Sequence, residues 1–466
     1  MKKYLFAALF TFPFTFTLSA QTQSIWSMTN SGGANGGGTI VKMNPDGTGF
    51  TKVYDFNYAT GDMPFGNIIQ ASDGNLYATT EDGGPSGSCV IYRFDPVNNI
   101  YTDVHDFYGP DGYIPMSGLV EYNGALYGVT IDGGAHNGGV IYKYDLSTST
   151  YTDIYDFNNT LGSMPVAALT LVNGKLYGTC QNGGADSTGV IFQFDPSNSN
   201  YTVLHNSVPA DGGSSYSKLC YASDGKFYGT NYLGGANGNG TFFSLDPVSL
   251  TYTVLQNFDA SGNSSMAGVV EGSNGVLYGT TEYGGSYSGG VIFKYDIAAS
   301  TYSVLHNFGS FVNDGMEPAG DLFLSPDGKL YGTTTAGAAG NGVVFRVDVA
   351  SGNYSLVHTL VGNEGAASYS GFALVTTGLG INTPVAGNSI SVFPNPAHDV
   401  ITLDASFNTN VSFSITNSLG QVVRNWNETP NGNFSKQIDV ADLDNGIYFL
   451  GMKSGDAVVT KKFVKQ

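Results

Sequence analysis

Charged residues and long apolar runs are both scarce in this sequence. Only 12% of its 466 residues are charged, so the pattern of residues, rather than bulk hydrophobicity, has to specify the fold. Beyond the N-terminus, no stretch approaches the ~20 apolar residues that a membrane-spanning helix needs. These shortages exclude a membrane span, and we expect a soluble protein.

Positive charge and cysteine are also in short supply. Lys and Arg number 18 against 37 Asp and Glu, which gives a net charge of −19. Such a surface repels phosphate backbones and excludes nucleic-acid binding. The three cysteines, Cys89, Cys180 and Cys220, are too few and too scattered for a disulfide framework, so we expect small buried thiols.

The N-terminus is typical of a secretory signal peptide. Lys2 and Lys3 precede an apolar run, and the small residues Ser19 and Ala20 precede Gln21. We predict that residues 1–20 are removed and do not anchor the protein. Because no cysteine follows the expected cut, a lipoprotein is excluded. Loss of the two lysines brings the net charge from −19 to about −21.

What the sequence has in abundance is glycine and aromatic residues, arranged in a repeat. The chain contains 65 Gly, 30 Tyr and 29 Phe. A phrase such as "GVLYGTTEYGGSYSGGVIFKYD" recurs at intervals of 50 to 53 residues, aligned on Trp26, Tyr77, Tyr127, Tyr177, Tyr228, Tyr278 and Tyr331. A period near 50 with about four strands per unit is typical of propeller blades.

Each unit can be divided into four strands joined by turn residues. In the third unit we predict strands at 118–122, 125–130, 139–145 and 151–157. Asn-Gly or Asp-Gly pairs, such as Asn123-Gly124, join the first two strands, as a tight hairpin requires. Asp-Pro or Asp-Leu follows the third strand and favours a turn.

The two ends of the repeat region predict how the ring closes. "SIWSM" (24–28) matches a second strand, so the first unit lacks its own first strand. "SGFALV" (370–375) matches a first strand but has no strands after it. The two incomplete units together make one blade and leave no open edge. We therefore predict an all-β chain, with a seven-bladed β-propeller over residues 21–375.

The remainder of the chain does not repeat. Residues 376–387 are predicted to be a linker rich in Gly and Thr. From residue 388 to 466, short alternating segments predict a small Ig-like β-sandwich. The predicted strands are "SISVFPNP", "DVITLD", "VSFSIT", "GQVVRNW", "GIYFLGMK" and "AVVTKKFVKQ".

This tail resembles the type A C-terminal sorting domain of the type IX secretion system. The resembling segments are "VFPNPAHDVITL", "NSLGQVV", "LDNGIYFLGM" and "TKKFVKQ", in that order. The resemblance implies transport by that machinery, removal of the tail and attachment to lipopolysaccharide at the cell surface. It places the sorting signal at Pro394, Asn395, Pro396, Gly420, Gly446, Tyr448, Lys461 and Lys462. The repeats resemble GloVer-type tandem repeats, a resemblance that implies no established activity.

Three candidate chemistries fail on spacing or position. His105, His205, His306 and His358 occupy one slot of the outermost strand in different units, so they cannot converge on a metal. A sialidase-type site needs three converging arginines to bind a carboxylate. One of the three arginines of this chain, Arg424, lies in the tail, so three cannot converge on the propeller. The Gly-Gly pairs lead into strands, whereas a phosphate loop leads into a helix. We predict no cofactor, although carboxylates could hold Ca²⁺ without any EF-hand spacing.

The variable loops remain the best candidate for a binding surface. Second-to-third strand loops and blade links emerge on one propeller face and carry aromatic and acidic residues suited to sugars. The candidate ligand-binding residues are Tyr108, Asp111, Tyr113, Asp132, Tyr232, Glu282, Tyr283 and Asp314.

Three functions remain open, and we expect a monomer in each. The first is a binding module for a glycan or a protein. The second is a glycoside hydrolase or lyase that uses carboxylates on the same face, with catalytic residues unknown. The third is an adhesion component without a discrete pocket.

Overall fold

The computed structural model contains two compact units. The structure describes residues 22–272, 275–337, 340–377, 390–393, 397–407, 411–417, 422–428, 432–454 and 457–465. The first unit is Thr22–Thr377, and the second comprises the described residues from 390 onward. The predicted signal peptide and most of the predicted linker lie outside the described residues. No helix in the described parts of the chain has the length and apolarity needed to cross a membrane.

The first unit contains seven antiparallel sheets built on a common four-strand plan. Sheet 1 contains β1 (Thr22–Thr29), β2 (Thr39–Met43), β3 (Thr51–Asp55) and β31 (Ala373–Thr377). Sheet 2 contains β4 (Asp62–Pro64), β5 (Ile69–Gln70), β6 (Leu76–Asp82), β7 (Val90–Asp95) and β8 (Ile100–Asp106). Sheet 3 contains β9 (Val120–Tyr122), β10 (Ala125–Val129), β11 (Val140–Asp145) and β12 (Thr150–Asp156). The strands predicted for the third repeat are therefore confirmed to within two residues.

The next four sheets repeat this plan. Sheet 4 contains β13 (Thr170–Val172), β14 (Lys175–Cys180), β15 (Val190–Asp195) and β16 (Asn200–Asn206). Sheet 5 contains β17 (Cys220–Tyr221), β18 (Phe227–Asn231), β19 (Thr241–Leu245) and β20 (Tyr252–Asn257). Sheet 6 contains β21 (Val270–Glu271), β22 (Val276–Thr281), β23 (Val291–Asp296) and β24 (Thr301–Asn307). Sheet 7 contains β26 (Phe323–Leu324), β27 (Lys329–Thr333), β29 (Val343–Asp348) and β30 (Tyr354–Thr359).

Smaller elements complete this unit. A short ladder pairs β25 (Gly315–Met316) with β28 (Ala336–Gly337). Single-turn 3₁₀ helices span Tyr58–Thr60 and Gly109–Asp111. The unit is thus almost entirely strand and turn, and the predicted all-β class is confirmed.

The ring closes through strands from opposite ends of the unit. In sheet 1, β1 pairs with β31 from Thr22 opposite Thr377 to Trp26 opposite Ala373. Buried apolar clusters fill the spaces between successive sheets, and one of them joins sheet 7 to sheet 1 through Tyr331, Val344 and Ile25. The core therefore lies between the sheets all the way around.

An outer ladder of stacked rings links the same sheets at their edges. Ring centroids are 3.8 Å apart for His105 and Tyr151, and 3.9 Å apart for His358 and Phe50, which joins sheet 7 to sheet 1. Equivalent stacks pair Tyr54 with Tyr101, Tyr155 with Tyr201, His205 with Tyr252, and His306 with Tyr354. These histidines have a packing role at the outer edge. A neighbouring acid faces three of them closely, as in the 2.9 Å contact of His205 with Asp211.

A polar network near the axis, the axial brace, connects residues that are far apart in sequence. The Asn67 amide donates to Asp321 Oδ2 at 2.8 Å. The other Asp321 oxygen accepts from the Gly268 backbone at 2.7 Å, and Asn67 Oδ1 accepts from the Gly371 backbone at 2.6 Å. Four sheets are thereby joined by two side chains.

Replacing Asp321 should weaken the whole ring. Asp321→Ala leaves the Asn67 amide and the Gly268 N–H without their acceptors, so we expect a loss of about 3 kcal/mol in the free energy of unfolding. Urea denaturation measures this loss. Asp327→Ala, which removes a carboxylate from an exposed hairpin turn, should cost under about 1 kcal/mol. Equal effects of the two variants would contradict a role for the brace in stability.

An acidic residue on an outer strand should make stability depend on pH. Burial, helped by the charge of Asp106, raises the pKa of Asp103 to about 6, and one Asp103 oxygen is buried without a partner. A carboxyl whose folded pKa is raised destabilises the fold above that pKa, and the penalty disappears as the pH falls toward about 4.

Asp103→Asn should therefore stabilise the protein by about 1 kcal/mol at pH 8, allowing for partial exposure, and by almost nothing near pH 4. Denaturation at the two pH values measures the difference. The exposed Asp186→Asn serves as the control and should have the same small effect at both. A gain from Asp103→Asn that does not change with pH would refute this explanation.

The second unit is built from two antiparallel sheets. One contains β32 (Ile390–Phe393), β33 (Val400–Phe407) and β36 (Gly432–Asp439). The other contains β34 (Val411–Asn417), β35 (Val422–Glu428), β37 (Gly446–Ser454) and β38 (Ala457–Lys465). Residues from both sheets, such as Ile401 and Phe413, share one buried core. The comparison with an immunoglobulin-like domain stays a prediction.

The strand β36 was not among the predicted strands. Its segment, "GNFSKQID", has only two apolar residues, Phe434 and Ile438, so alternation is hard to detect. Ile438 is buried in the shared core, and β36 pairs with β33 along its whole length.

Candidate functional site

One surface of the first unit, which we call the loop face, is formed by blade links paired with second-to-third strand loops. The backbone N–H of Tyr113 donates to Asp132 O at 2.7 Å, and the Asp132 N–H donates back at 3.1 Å. The same pairing joins Asp62 with Asp82, Ser163 with Asn182, Gly213 with Leu233, Asn263 with Tyr283, Met316 with Ala336, and Ser31 with Ala366. All seven links are thus held on one face.

Each of these links contains a residue with a left-handed backbone. The residues are Met63, Ile114, Met164, Ser214, Ser264, Glu317 and Ala367, with φ between 50° and 58°. For a β-branched residue such as Ile114 this conformation is a genuine outlier. Its carbonyl is held by the Ile131 N–H at 3.1 Å. Such strain clusters at functional sites, and here it surrounds the axis.

Immediately after these strained residues, side chains from all seven sheets line one cavity on the axis. Phe65, Met116, Val166, Tyr216, Met266, Ala319 and Tyr369 each contribute from a different sheet. The axial cavity has a volume of about 50 Å³, which is room for a few water molecules. A drug-sized ligand needs about 300 Å³ or more, so any larger ligand must lie outside it.

At the loop-face end of the second strands, a circle of seven side chains surrounds the axis, and six of them are polar. The circle consists of Asn30, Glu81, Ile131, Gln181, Tyr232, Glu282 and Thr335. Together with Phe65, Tyr216, Glu317 and Tyr369 we call it the axial mouth. Tyr216 contacts Tyr232 with ring centroids 5.4 Å apart, and Phe65 stacks on Tyr369 at 4.8 Å. Thr335 Oγ1 donates to Glu317 Oε2 at 3.4 Å.

Three buried polar atoms of the axial mouth have no hydrogen-bond partner. They are Asn30 Nδ2, Gln181 Nε2 and Glu282 Oε2. The exposed fraction is 8% for Asn30, 8% for Gln181 and 7% for Glu282. Leaving such a group unpaired costs about 1–3 kcal/mol, and native structures contain few of them. These atoms are therefore the clearest indication of a site.

Negative charge concentrates at the same place. Burial, followed by the charges of Glu282, Glu317 and Glu81, raises the pKa of the Tyr369 hydroxyl. Burial raises the pKa of Glu282, and the charge of Glu317 adds to this effect. The hydroxyl of Tyr283 donates to Glu282 Oε1 at 2.8 Å. The negative charges of carboxylates from the second, sixth and seventh sheets thus affect the same region near the axis.

The predicted ligand-binding residues fall into three groups. Tyr232 and Glu282 belong to the axial mouth, and Tyr283 adjoins it. Tyr113 and Asp132, like Tyr283, lie in the backbone pairing of the loop face. The remaining three, Tyr108, Asp111 and Asp314, lie near the outer edge. Their role in binding stays a prediction.

Of the two outer acids, Asp314 already has hydrogen-bond partners for its carboxylate. Asp314 is 3% exposed and accepts from Tyr354 at 2.8 Å and from His306 at 3.2 Å. Burial opposes ionisation, but these hydrogen bonds hold the pKa of Asp314 below its usual value. The carbonyl of Asp111 accepts the Tyr151 hydroxyl, and Tyr108 is 59% exposed. Asp111 and Asp314 therefore have positions suited to joining outer strands.

Most residues of the axial mouth were not predicted to bind a ligand. Asn30, Gln181, Phe65 and Tyr369 were not among the candidates chosen to bind a ligand. The sequence signal for these residues was their recurring position in the repeats. One such position lies at the end of each second strand, and the other directly follows a Pro or Ser in each blade link. No group of three His, Cys, Asp or Glu within the described residues could hold a metal ion.

Comparison with known families identifies the repeats. A model of the Gloeobacter/Verrucomicrobia repeat matches residues 12–130, 104–267 and 215–380, which together cover more than half of the chain. The chain belongs to the Gloeobacter/Verrucomicrobia repeat family. This confirms the resemblance based on the repeated glycine-rich phrase. Among curated proteins, no sequence match was found for this family member.

The tail of this repeat-family protein matches a second model. A secretion system C-terminal sorting domain covers residues 391–466. The protein is therefore exported by the type IX secretion system, with which its tail interacts, and attached to the cell surface. Of the predicted sorting residues, Tyr448 is buried and its hydroxyl donates to Asp444 O at 2.9 Å. Gly446 pairs with Lys465, and Lys461 is exposed.

Not every sorting residue has a described position. Pro394, Asn395, Pro396 and Gly420 lie outside the described residues. Lys462 lies on β38 opposite Phe449. The sorting roles of all eight residues remain predictions.

Solved structures support the fold of the repeat-family domain. A candidate 6-phosphogluconolactonase from Bacteroides fragilis is 14% identical with a TM-score of 0.53, covering 77% of this chain and 99% of that one. A second, from Bacteroides uniformis, is 13% identical with a TM-score of 0.52, covering 76% and 99%. At these identities the similarity shows the fold alone.

Proposed function

We propose that the repeat domain is a non-catalytic binding module that takes a glycan at the axial mouth. The observation that carries this proposal is the set of three unpartnered atoms on Asn30, Gln181 and Glu282. Two of them are amide donors and one is a carboxylate acceptor. Sugar hydroxyls both donate and accept hydrogen bonds, so one hydroxyl-rich ligand could satisfy all three.

The aromatic side chains of the mouth support the same ligand class. Phe65, Tyr216, Tyr232 and Tyr369 are all partly exposed, so their rings can contact a ligand. Aromatic faces pack against the C–H patches of sugar rings, and a tyrosine adds a hydroxyl at its polar end. A glycan fits this mixture better than a purely apolar ligand does.

The small axial cavity favours binding over catalysis. A volume of about 50 Å³ is far below the about 300–1,000 Å³ that is usual for ligand pockets. A glycan would therefore lie across an open mouth. Within the described residues, no observation specifically favours a hydrolase or lyase.

The chain organisation fits display at the cell surface. We propose that residues 21–375 form the mature binding domain, that 376–387 form a linker, and that 388–466 are removed after export. Attachment of the mature protein to lipopolysaccharide belongs to the same proposal. The sorting-domain match of residues 391–466 and the compact first unit ending at Thr377 support it.

Binding to a glycan array, followed by calorimetry on the best ligand, tests the proposal. Gln181→Met removes the unpartnered amide at nearly constant volume and should weaken binding by about tenfold. Gln256→Met, on the outer strand β20, is the matched control and should leave the affinity unchanged. Absence of any glycan ligand would contradict the proposal, and release of reducing sugar would favour the enzyme alternative.

A further inference from the structure

The acids of the loop face gather in one sector of the axial mouth. Asp62, Glu81 and Asp82 come from sheet 2, whereas Glu282 and Glu317 come from the links and strands of sheets 6 and 7. In the ring, sheet 1 with its Tyr369 link lies between these two groups. Burial, with the charges of Asp82 and Asp62, raises the pKa of Glu81. The five carboxylates therefore form one electrostatic region.

In the part of the chain that the structure describes, the carboxylates of this sector form no ion pair. Among the ion pairs formed by the described residues, none involves Asp62, Glu81, Asp82, Glu282 or Glu317. Lys218 lines the axial cavity, but none of the described ion pairs includes it. A concentrated negative potential without a counter-ion attracts cationic ligands.

The buried state of Glu282 is the observation that distinguishes this sector from a solvated acidic surface. Glu282 is 7% exposed, and its Oε2 has no hydrogen-bond donor. The Tyr283 hydroxyl donates only to the other oxygen, Oε1, and a buried carboxylate oxygen without a donor is costly in a low-dielectric environment. An N–H donor carrying positive charge would relieve that cost more than a neutral hydroxyl would, because charge-assisted hydrogen bonds are the stronger class.

The neighbouring rings suit an organic cation. Tyr232 faces Glu282, and Phe65 and Tyr369 stack beside the acids with centroids 4.8 Å apart. Aromatic faces attract ammonium groups through their quadrupoles. Since no described group of acids could hold a metal ion, an ammonium fits the arrangement better than a divalent cation.

We propose that the axial mouth selects glycans that carry a free ammonium group, such as unacetylated hexosamine units. This inference rests on the proposed function and specifies its ligand class. The ammonium would lie among Glu81, Glu282 and Glu317, while the amides of Asn30 and Gln181 would donate to ring hydroxyls. Aromatic side chains would cover the sugar faces.

Calorimetry with the full-length protein tests the selection. The probes are β-1,4-linked glucosamine oligomers and the same oligomers fully N-acetylated, which differ in the ammonium group. We expect the unacetylated oligomer to bind at least about tenfold tighter, because a charged hydrogen bond contributes more than a neutral one. Glu282→Gln retains the acceptor for Tyr283 and should reduce this preference by about tenfold.

The matched control is Asp186→Asn, which removes an exposed carboxylate from a loop-face loop and should keep the full preference. Equal binding of the two oligomers, an unchanged preference in Glu282→Gln, or no binding of the glucosamine oligomer would overturn the inference. Binding of neutral glycans in any of these cases would leave the proposed function standing. Failure of every glycan to bind would overturn both.

Discussion

Removing β31 should unfold the repeat domain. A chain ending at residue 369 loses the partner of β1 across five residue pairs, together with the buried side chains of Phe372 and Val375. Each of these side chains contributes about 2–3 kcal/mol through burial, and the lost hydrogen bonds add further cost. The sum is about 5–10 kcal/mol, which equals the whole stability of a typical domain.

The matched control is a chain ending at residue 377, which retains β31 and lacks the tail. Circular dichroism and urea denaturation should show a cooperative transition for this longer chain and none for the shorter one. Because β1 would be left as an open edge, the shorter chain should also aggregate. A cooperative transition in both chains would show that the closing strand is dispensable.

Replacing Gly139 should have the second-largest effect. Its φ is +88°, and an added Cβ would overlap the carbonyl oxygen of Thr130. The left-handed backbone alone costs about 1–2 kcal/mol for an alanine, and the overlap forces the second and third strands apart. We expect Gly139→Ala to lose about 4 kcal/mol in the free energy of unfolding.

Gly124 in the same sheet provides the control. It also has a positive φ, +74°, but an added Cβ would meet nothing within 4 Å. Gly124→Ala should therefore cost only the backbone term of about 1–2 kcal/mol. Urea denaturation of the two variants separates backbone strain from steric overlap. Similar losses in both would contradict the close approach at Gly139.

The fold was predictable because the residues within each repeat specify its own strands and turns. Asn123-Gly124 encodes a hairpin through backbone geometry, and the four-strand plan follows at each period. Closure was predictable from the unmatched strands at 24–28 and 370–375. The strand Gly432–Asp439 was not predictable, because its pairing with β33 depends on the neighbouring sheet rather than on its own alternation.

The candidate site was only partly predictable, for a physical reason. Loop composition indicated acids and aromatics, and two of the chosen ligand-binding candidates, Tyr232 and Glu282, lie at the axial mouth; their role in binding stays a prediction. Composition could not show which acids were already paired, so Asp314 was chosen although five hydrogen-bond donors contact its carboxylate. Asn30 and Gln181 were missed because a lack of partners is visible only in three dimensions.

Closure of the ring also determines which residues lie together at the axial mouth. Tyr369 lies near Glu81 only because sheet 1 contains strands from both ends of the unit. The ligand proposal therefore depends on the register of β1 with β31, in which Gln23 lies opposite Thr376.

A disulfide cross-link between these two positions tests the closure most directly. Opposed residues on antiparallel strands lie about 4.5–5.5 Å apart at Cα, within the range for a disulfide. The account predicts that Gln23→Cys with Thr376→Cys forms a near-complete cross-link under mild oxidation in the folded protein. Gln23→Cys with Leu250→Cys, which places the second thiol in an exposed turn of sheet 5, should form none. Equal cross-linking of the two pairs, or none in the first, would contradict the closed ring.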